Sequence, residues 1–199
     1  MRLTPFQSDT LLELINIGVG RAAGMLNRLV NSHVQLQVPE LRIVSFEDLR
    51  ASNEGLRRDS VSSVSIAFSG NFAGMSALIF PKDSAAKLTS LVLEPQGRND
   101  FDEGLRSETL QEIGNIVLGG VMGSMANIMK ERLRFAAPRY AEGQFLDVLS
   151  LGAQPADLIL LARTHFSIKD HRIGGEVLIV FSLESFDVLL AAIDAIAGT

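Results

Sequence analysis

The sequence predicts an α+β protein in which one unit of helices and strands occurs twice. Apolar residues recur at helical spacing over the first thirty positions and then alternate with polar residues, as they do in strands. The same order of segments returns in the second half of the chain. Helices grouped outside antiparallel strands are typical of the α+β class.

Size and composition exclude several classes of protein. The chain has 199 residues, a formal net charge of −5 and 47% hydrophobic residues, enough for one well-buried domain or two small ones. Its mild acidity argues against a nucleic-acid partner, which needs a basic stripe. The absence of cysteine excludes disulfides and thiol nucleophiles, and the three scattered histidines form no metal-ligand pattern. No apolar run approaches the roughly 18 residues of a membrane span, so we expect a cytoplasmic protein without membrane insertion.

A long helix is predicted at the start of the chain. Thr4 and Gln7 form a capping box around Pro5, a residue that the first helical position tolerates. Helical spacing then continues to Val30, which gives about 26 residues and about 39 Å. The glycines within this helix (Gly18, Gly20 and Gly24) predict that another element approaches it closely.

The rest of the first half reads as strands and shorter helices. Residues 34–44 are extended, 46–49 form a helical turn and 51–60 a polar loop. Residues 61–68 and 75–80 form an antiparallel hairpin, which is followed by a helix over 81–92 and a connector over 94–102.

The second half repeats this order. Adding 99 to Glu13, Asn16 and Pro39 gives Glu112, Asn115 and Pro138, and past the loop an offset of 101 places Gly74 over Gly175. The second hairpin is expected over 157–166 and 175–181, with covered faces on both sides, and the last helix over 183–197. We therefore predict one interlocked domain over 1–199 with a pseudo-twofold axis, of which 1–97 are the first repeat and 98–199 the second. The sequence leaves open which way the halves exchange elements.

A carboxylate and a carboxamide recur together in the two long helices. Glu13 and Asn16 are three residues apart, as are Glu112 and Asn115, so each pair shares one helix face. Asn is a poor interior helix former, worse than Ala by up to about 0.7 kcal/mol. For one copy alone, a solvated helix face or a tie to a neighbouring loop is the favoured explanation. Two copies indicate that a group outside the helix uses the amide.

These residues resemble the signature of the CheC/CheX/FliY chemotaxis phosphatases, which is an acid (Asp) or Ser, three residues, Glu, two residues, Asn, then 22 residues and Pro. The matching residues are Asp9, Glu13, Asn16 and Pro39 in the first copy and Glu112, Asn115 and Pro138 in the second. The resemblance covers essentially the whole chain, and its two sites resemble the CheC branch and imply a CheC-like fold. The chain departs from the pattern at Glu108, where Asp or Ser is expected, and at Ile15, where Gly usually precedes the Asn.

The resemblance implies a hydrolase whose substrate is the phosphoaspartate of a CheY-like receiver domain in two-component signalling. It assigns to Asn16 and Asn115 the orientation of the attacking water, and to Glu13 and Glu112 a pairing with a receiver Lys. The receiver supplies Mg²⁺, so no cofactor or metal of the chain's own is expected. Asp9 and Glu108 are implied as supporting acids, and Pro39 and Pro138 as structural residues where the chain enters a strand.

Two further partners remain as expectations from the resemblance. CheD is a candidate, because some family members bind it. The alternative function is a non-catalytic adaptor of the same fold that binds a receiver or a flagellar-switch component. Degenerate members of such a fold are expected to lose Glu or Asn, whereas this chain keeps both pairs.

Overall fold

The structure, a computed structural model, describes residues 3–30, 33–51, 60–93, 97, 102–128, 130–150, 157–168 and 171–197. Its elements are α1 (Pro5–Val30), β1 (Val34–Ser45), α2 (Phe46–Ala51), β2 (Ser60–Ser69), β3 (Gly74–Pro81), α3 (Lys82–Leu93), α4 (Glu103–Ile128), β4 (Arg134–Phe135), β5 (Arg139–Gln144), α5 (Phe145–Ser150), β6 (Leu158–Ile168), β7 (His171–Phe181) and α6 (Leu183–Ala197). The predicted α+β class and its repeated order are confirmed. The predicted loop at 51–60 and connector at 94–102 lie largely outside the described residues.

The first long helix begins at the predicted capping box. The Thr4 backbone N–H donates to Gln7 Oε1 at 3.0 Å, and the Gln7 N–H donates to Thr4 Oγ1 at 3.2 Å. Both bonds satisfy groups that the first helical turn leaves without partners. Helices α1 and α4 are each 26 residues long, so the repeat preserves the length of the predicted helix.

The described strands form one seven-stranded antiparallel sheet in the order β1-β6-β7-β3-β2-β4, with β5 also pairing with β2. The two hairpins meet at the centre, where β3 pairs with β7 from Gly74↔Phe181 to Ile79↔Glu176. The outer strands are exchanged between repeats, because β1 of the first pairs with β6 of the second and β5 of the second pairs with β2 of the first. This pairing gives the direction of exchange that the sequence left open.

Both faces of the sheet are covered, as predicted from the apolar hairpin strands. Val177 and Ile179 of β7 join a large core with α1, α3, α4 and α6, whereas Leu178 and Val180 join a smaller core with α2 and α5. Alternate side chains of a strand point to opposite faces, so β7 is buried on both sides. The four longer helices therefore lie on one face of the sheet, and the two six-residue helices lie on the other.

Helices α1 and α4 pack directly against each other. A Cβ added at Gly18 would lie 2.5 Å from Val121 Cα, and one added at Gly120 would lie 2.7 Å from the Gly18 carbonyl oxygen. These distances leave no room for a side chain at the crossing. The predicted close approach is therefore confirmed at Gly18, but a Cβ at Gly20 or Gly24 would meet nothing within 4 Å.

None of the helices in the described part of the chain combines the length and apolarity needed to cross a membrane.

Candidate functional site

The structure places both Glu and Asn pairs on the outer surface of the long helices. Glu13, Glu112 and Asn115 are exposed and Asn16 is half-buried. The neighbouring apolar positions are buried in the large core (Leu11, Leu14, Ile15, Leu110, Ile113 and Ile116), and of these only Ile116 also borders the groove of the second pair. The three-residue spacing in α1 and α4 thus places a carboxylate and a carboxamide together on an outer helix face, twice.

The second pair lines an open groove of about 600 Å³. Most of its lining comes from successive turns of α4, and α1 contributes the remainder. The lining residues are Arg21, Met25, Glu112, Asn115, Ile116, Gly119, Gly120, Gly123 and Asn127. Asn115 makes no hydrogen bond to any other described residue, so both its amide donors and its acceptor are available to a partner.

Glycines form the floor of this groove on the side of α4 beyond Asn115. A Cβ added at Gly119 or Gly123 would meet nothing within 4 Å, so no element of the described chain packs there. Glycine within a helix costs about 1 kcal/mol relative to alanine. Packing inside the chain therefore explains Gly18 and Gly120 but not these two positions, which leave the helix backbone beside Asn115 accessible.

Two residues of the groove come from α1 and were not singled out in the sequence. Arg21 is exposed and its Nη1 donates to the Ser124 hydroxyl at 3.3 Å, and Met25 is 47% exposed. Both belong to the first repeat but line the site of the second. Sequence reasoning missed them because only the packing of α1 on α4 brings them beside Glu112. The sequence offers one signal. At the offset of 99 residues, Arg21 and Met25 correspond to Gly120 and Ser124, so these positions differ in chemistry between the repeats.

The first pair is held differently. Asn16 Oδ1 accepts a hydrogen bond from the Val38 backbone N–H of β1 at 3.4 Å. This distance is long for an N–H···O bond, so the bond is weak, and it leaves the two amide donors of Asn16 free. Asn16 thus combines the two uses that the sequence left open, because it ties down a neighbouring segment and keeps a face toward solvent.

The strands behind the two sites explain this difference. β1 pairs with β6 along its length, with a register shift between Gln37 and Glu40, and Val38 is 4% exposed at the shift. Its counterpart in the second repeat, Ala137, is exposed between β4 and β5, and the neighbouring Ala136 N–H donates to the Ala67 carbonyl of β2 at 2.9 Å. The second strand is therefore interrupted where the first continues, and no backbone N–H of this segment bonds to Asn115.

The four supporting residues occupy different surroundings. Asp9 and Glu108 are exposed, and Glu108 lines a smaller groove with Glu112, which therefore lies between two grooves. Pro138 directly precedes β5, as expected for a residue where the chain enters a strand. Pro39 instead lies within β1, at the register shift, because a residue without an N–H is tolerated where the ladder is irregular.

A polar cluster holds the strand behind the second site. Glu142 of β5 accepts hydrogen bonds from the hydroxyls of Tyr140 and Ser62, and its carboxylate lies 3.0 Å from Lys82 Nζ. These hydrogen bonds, that of Tyr140 first, lower the pKa of Glu142 below its ordinary value. Burial and the neighbouring carboxylate raise the pKa of Tyr140 to about 12. In β1 the counterparts of Tyr140 and Glu142 are apolar, namely Leu41 and Ile43.

Comparison with known proteins identifies relatives by sequence. No protein-family model matches the chain. The CheY-P phosphatase CheC of Bacillus subtilis (strain 168) is 26% identical over 201 residues, covering 95% of this chain and 94% of that protein. The flagellar motor switch phosphatase FliY of the same organism is 22% identical over 148 residues, covering 73% of this chain but only 37% of FliY.

Solved structures share the fold. The crystal structure of FliY from Thermotoga maritima matches with a TM-score of 0.78 at 17% identity, covering 98% of this chain and 99% of that one. A FliM–SpeE complex from H. pylori matches with a TM-score of 0.71 at 13% identity, covering 98% and 97%. A CheX–CheY–BeF3–Mg²⁺ complex from Borrelia burgdorferi matches with a TM-score of 0.53 at 15% identity, covering 86% and 99%.

The likeness to CheC extends over nearly the full length of both chains, and both outward-facing Glu and Asn pairs follow the spacing of the family signature. The chain is therefore similar to the CheC/CheX/FliY family of chemotaxis proteins, in sequence to CheC and in fold to FliY and CheX.

Proposed function

We propose that this protein is a phosphatase that accelerates hydrolysis of the phosphoaspartate of a CheY-like receiver domain. The observation that carries the proposal is the exposed carboxamide of Asn115, which stands beside Glu112 on an open groove without a partner among the described residues. The relative that aligns over 94% of its own length is a CheY-P phosphatase. A structural neighbour is a complex of CheX with CheY, BeF3 and Mg²⁺.

The reaction requires positioning more than covalent chemistry. A bond forms between the water oxygen and phosphorus, and the bond between phosphorus and the aspartate oxygen breaks. The aspartate leaves as a carboxylate, and the water proton goes to the released phosphate or to solvent. Phosphoryl transfer of this kind is accelerated chiefly by alignment of the nucleophile and by stabilisation of charge. In our proposal the receiver supplies Mg²⁺ and a Lys, and the chain supplies the group that holds the water.

An Asn side chain suits that role. Its carboxamide both donates and accepts hydrogen bonds and carries no charge, so it orients a water molecule without repelling the phosphoryl oxygens. A carboxylate aimed at the same water would repel them. We assign this role to Asn115 and, in the first site, to Asn16, whose amide donors make no hydrogen bond to any described residue.

Each Glu is assigned to docking. Glu112 precedes Asn115 by three residues on the same helix face, which places the two side chains about 4.5 Å apart along the axis. A carboxylate at that position pairs with the receiver Lys and fixes the helix so that the carboxamide enters the phosphorylated pocket. Glu13 occupies the same position relative to Asn16.

We infer that the second site carries the larger share of the activity. The amide must enter a pocket of another protein, and Asn115 is exposed on an open groove whereas Asn16 is half-buried and bonded to β1. Asn16 can enter the partner's pocket in one of two ways. It keeps its hydrogen bond to the Val38 N–H, which restricts the side chain, or it first breaks that bond. Either requirement slows the first site relative to the second.

A non-catalytic adaptor is the second candidate. The FliM–SpeE complex has the same fold, and the T. maritima FliY structure also matches closely, so the fold occurs in flagellar-switch proteins. Retention of both Glu and Asn pairs favours the phosphatase, because an adaptor has no use for two intact water-holding amides.

Phosphate release distinguishes the two. A panel of CheY-like receivers is phosphorylated with a small-molecule donor, and release is followed with and without the protein. We expect acceleration by the parent protein and a loss of about 100-fold or more in the double variant Asn16→Ala/Asn115→Ala, because misplacement of a reacting group has effects of that order. Binding of a BeF3-activated receiver should remain. If the double variant still accelerates phosphate loss, the role assigned to the amides is wrong.

A further inference from the structure

We propose that Arg21 is a specificity-determining residue of the second site, where it binds a carboxylate on the surface of the docked receiver domain. This inference rests on the proposed function and adds a second contact to it. Arg21 belongs to the first repeat, so the second site is completed by a residue from the other half of the chain.

The position of Arg21 is held by one hydrogen bond. The side chain leaves α1 beside the helix crossing, and its Nη1 donates to the hydroxyl of Ser124, which is 1% exposed on α4. That bond fixes the guanidinium on the α1 side of the groove that Glu112 and Asn115 line. A single neutral hydrogen bond leaves most of the five guanidinium N–H donors free for a second acceptor.

No carboxylate inside the described chain neutralises Arg21. Its single described interaction is the bond to Ser124, and none of the ion pairs among the described residues includes it. The groove therefore presents a carboxylate, Glu112, and an unpaired guanidinium at different points along one surface. A complementary partner carries a cation opposite Glu112 and an anion opposite Arg21.

Distance identifies the anion as a surface carboxylate rather than the phosphoryl group. Ser124 follows Asn115 by nine residues on α4, which corresponds to about 13 Å along the axis. Nine residues are also two and a half helical turns, so Ser124 and Asn115 face opposite sides of α4, and a guanidinium bonded to Ser124 is not directed at the group that the amide contacts. Arg binds carboxylates in a bidentate geometry that fixes orientation as well as position. Arg21 thus acts on the docking of the receiver and leaves the chemical step to Asn115.

The first site has no equivalent. The position that corresponds to Arg21 is Gly120, which packs against the Gly18 carbonyl and Ala22 at the helix crossing. The position that corresponds to Met25 is Ser124. The wall that α1 gives the second site therefore carries a charge and an exposed apolar side chain, whereas the corresponding positions of α4 are small. This asymmetry lets the two sites favour different receiver surfaces.

The test measures the second site alone, in a protein with Asn16→Ala. We expect Arg21→Glu to raise KM for the phosphorylated receiver about tenfold and Arg21→Ala about threefold, with kcat unchanged, because exposed charge contacts act on encounter and docking. Arg21→Lys should restore most of the loss. Raising the salt from 0.05 to about 0.5 M should shrink the difference between parent and variant, since exposed charges are screened.

Two matched variants control for general charge effects. Arg28→Glu makes the same charge change at an exposed position of α1 outside this groove, and it should leave KM of the second site within twofold. Lys87→Glu makes the same charge change at an exposed position of α3, likewise outside this groove, and it should also leave that KM within twofold. An unchanged KM in Arg21→Glu, an equal rise in Arg28→Glu, or a fall in kcat alone would each overturn the proposal.

Binding separates a failure of this inference from a failure of the proposed function. The Kd for a BeF3-activated receiver is measured for the Asn16→Ala protein and for the same protein with Arg21→Glu, and a rise of about tenfold is expected. If the protein binds without accelerating hydrolysis, the phosphatase proposal fails while this measurement still decides the role of Arg21. If the protein does not bind the receiver at all, both proposals fail.

Discussion

The two candidate sites share their motif but differ in what surrounds the amide. Asn115 is exposed on an open groove, whereas Asn16 is half-buried and accepts a hydrogen bond from Val38 of β1. The difference comes from strands behind the helices, because β1 is continuous and its counterpart is interrupted at Ala137. A duplicated motif therefore gives two chemically distinct sites when the supporting strands diverge.

Replacing a glycine beside each Asn with a large side chain should produce the largest difference in phosphatase activity between the two sites. Gly119→Leu places a side chain one turn from Asn115, where a partner must approach, and we expect it to lower phosphatase activity about tenfold or more. Its counterpart, Gly20→Leu, should lower activity less than twofold because the second site dominates. Both glycines have open space and both substitutions improve helix propensity, so the melting temperature should not fall. A larger loss in Gly20→Leu would reverse the ranking.

Substitution of a packed glycine and of an open glycine in α1 should have opposite effects on stability. Gly18→Ala places a Cβ 2.5 Å from Val121 Cα, so we expect the free energy of unfolding to fall by about 1–3 kcal/mol. Gly24→Ala meets nothing within 4 Å and should raise that free energy by about 1 kcal/mol. Urea denaturation followed by circular dichroism measures both. Destabilisation by Gly24→Ala would contradict the open space found at this position.

Acid should weaken the contribution of β5 to stability but not that of β1, because only β5 carries Glu142 and β1 has Ile43 at the corresponding position. The pKa of Glu142 is lowered in the folded protein, so its contribution to stability is present above its ordinary pKa and is lost as the pH falls through the folded value. Glu142→Gln should cost less than about 1 kcal/mol at pH 7, because the group is partly exposed. The cost should disappear in acid. A cost that is equal at pH 7 and in acid would show that the cluster does not act through the charge of Glu142.

Much of the fold could be predicted from the sequence. Helical and alternating periodicities identified the long helices and hairpins, and the capping box fixed the start of α1. The exchange of β1 and β5 between repeats could not be predicted, because strands with similar alternation pair equally well in either repeat until the helices are packed. The interruption of the strand at Ala137 could not be predicted either, because the repeat offset predicts the same extended segment in both halves.

The part of the site that lies on single helices could be predicted from the sequence. Glu13, Asn16, Glu112 and Asn115 are local patterns on single helices, so their shared face follows from helical geometry alone. Arg21 and Met25 reach the second site only through the crossing of α1 and α4 at Gly18, which depends on tertiary packing. The Asn16 bond to Val38 likewise depends on the path of β1.

Single-site kinetics test the ranking of the two sites most directly. Phosphate release from a phosphorylated CheY-like receiver is measured for the parent, Asn16→Ala and Asn115→Ala, with folding checked by circular dichroism. We expect Asn115→Ala to lose most of the activity and Asn16→Ala to keep more than half of it. Equal losses, or a greater loss in Asn16→Ala, would contradict the view that exposure of the amide on its groove decides which site works.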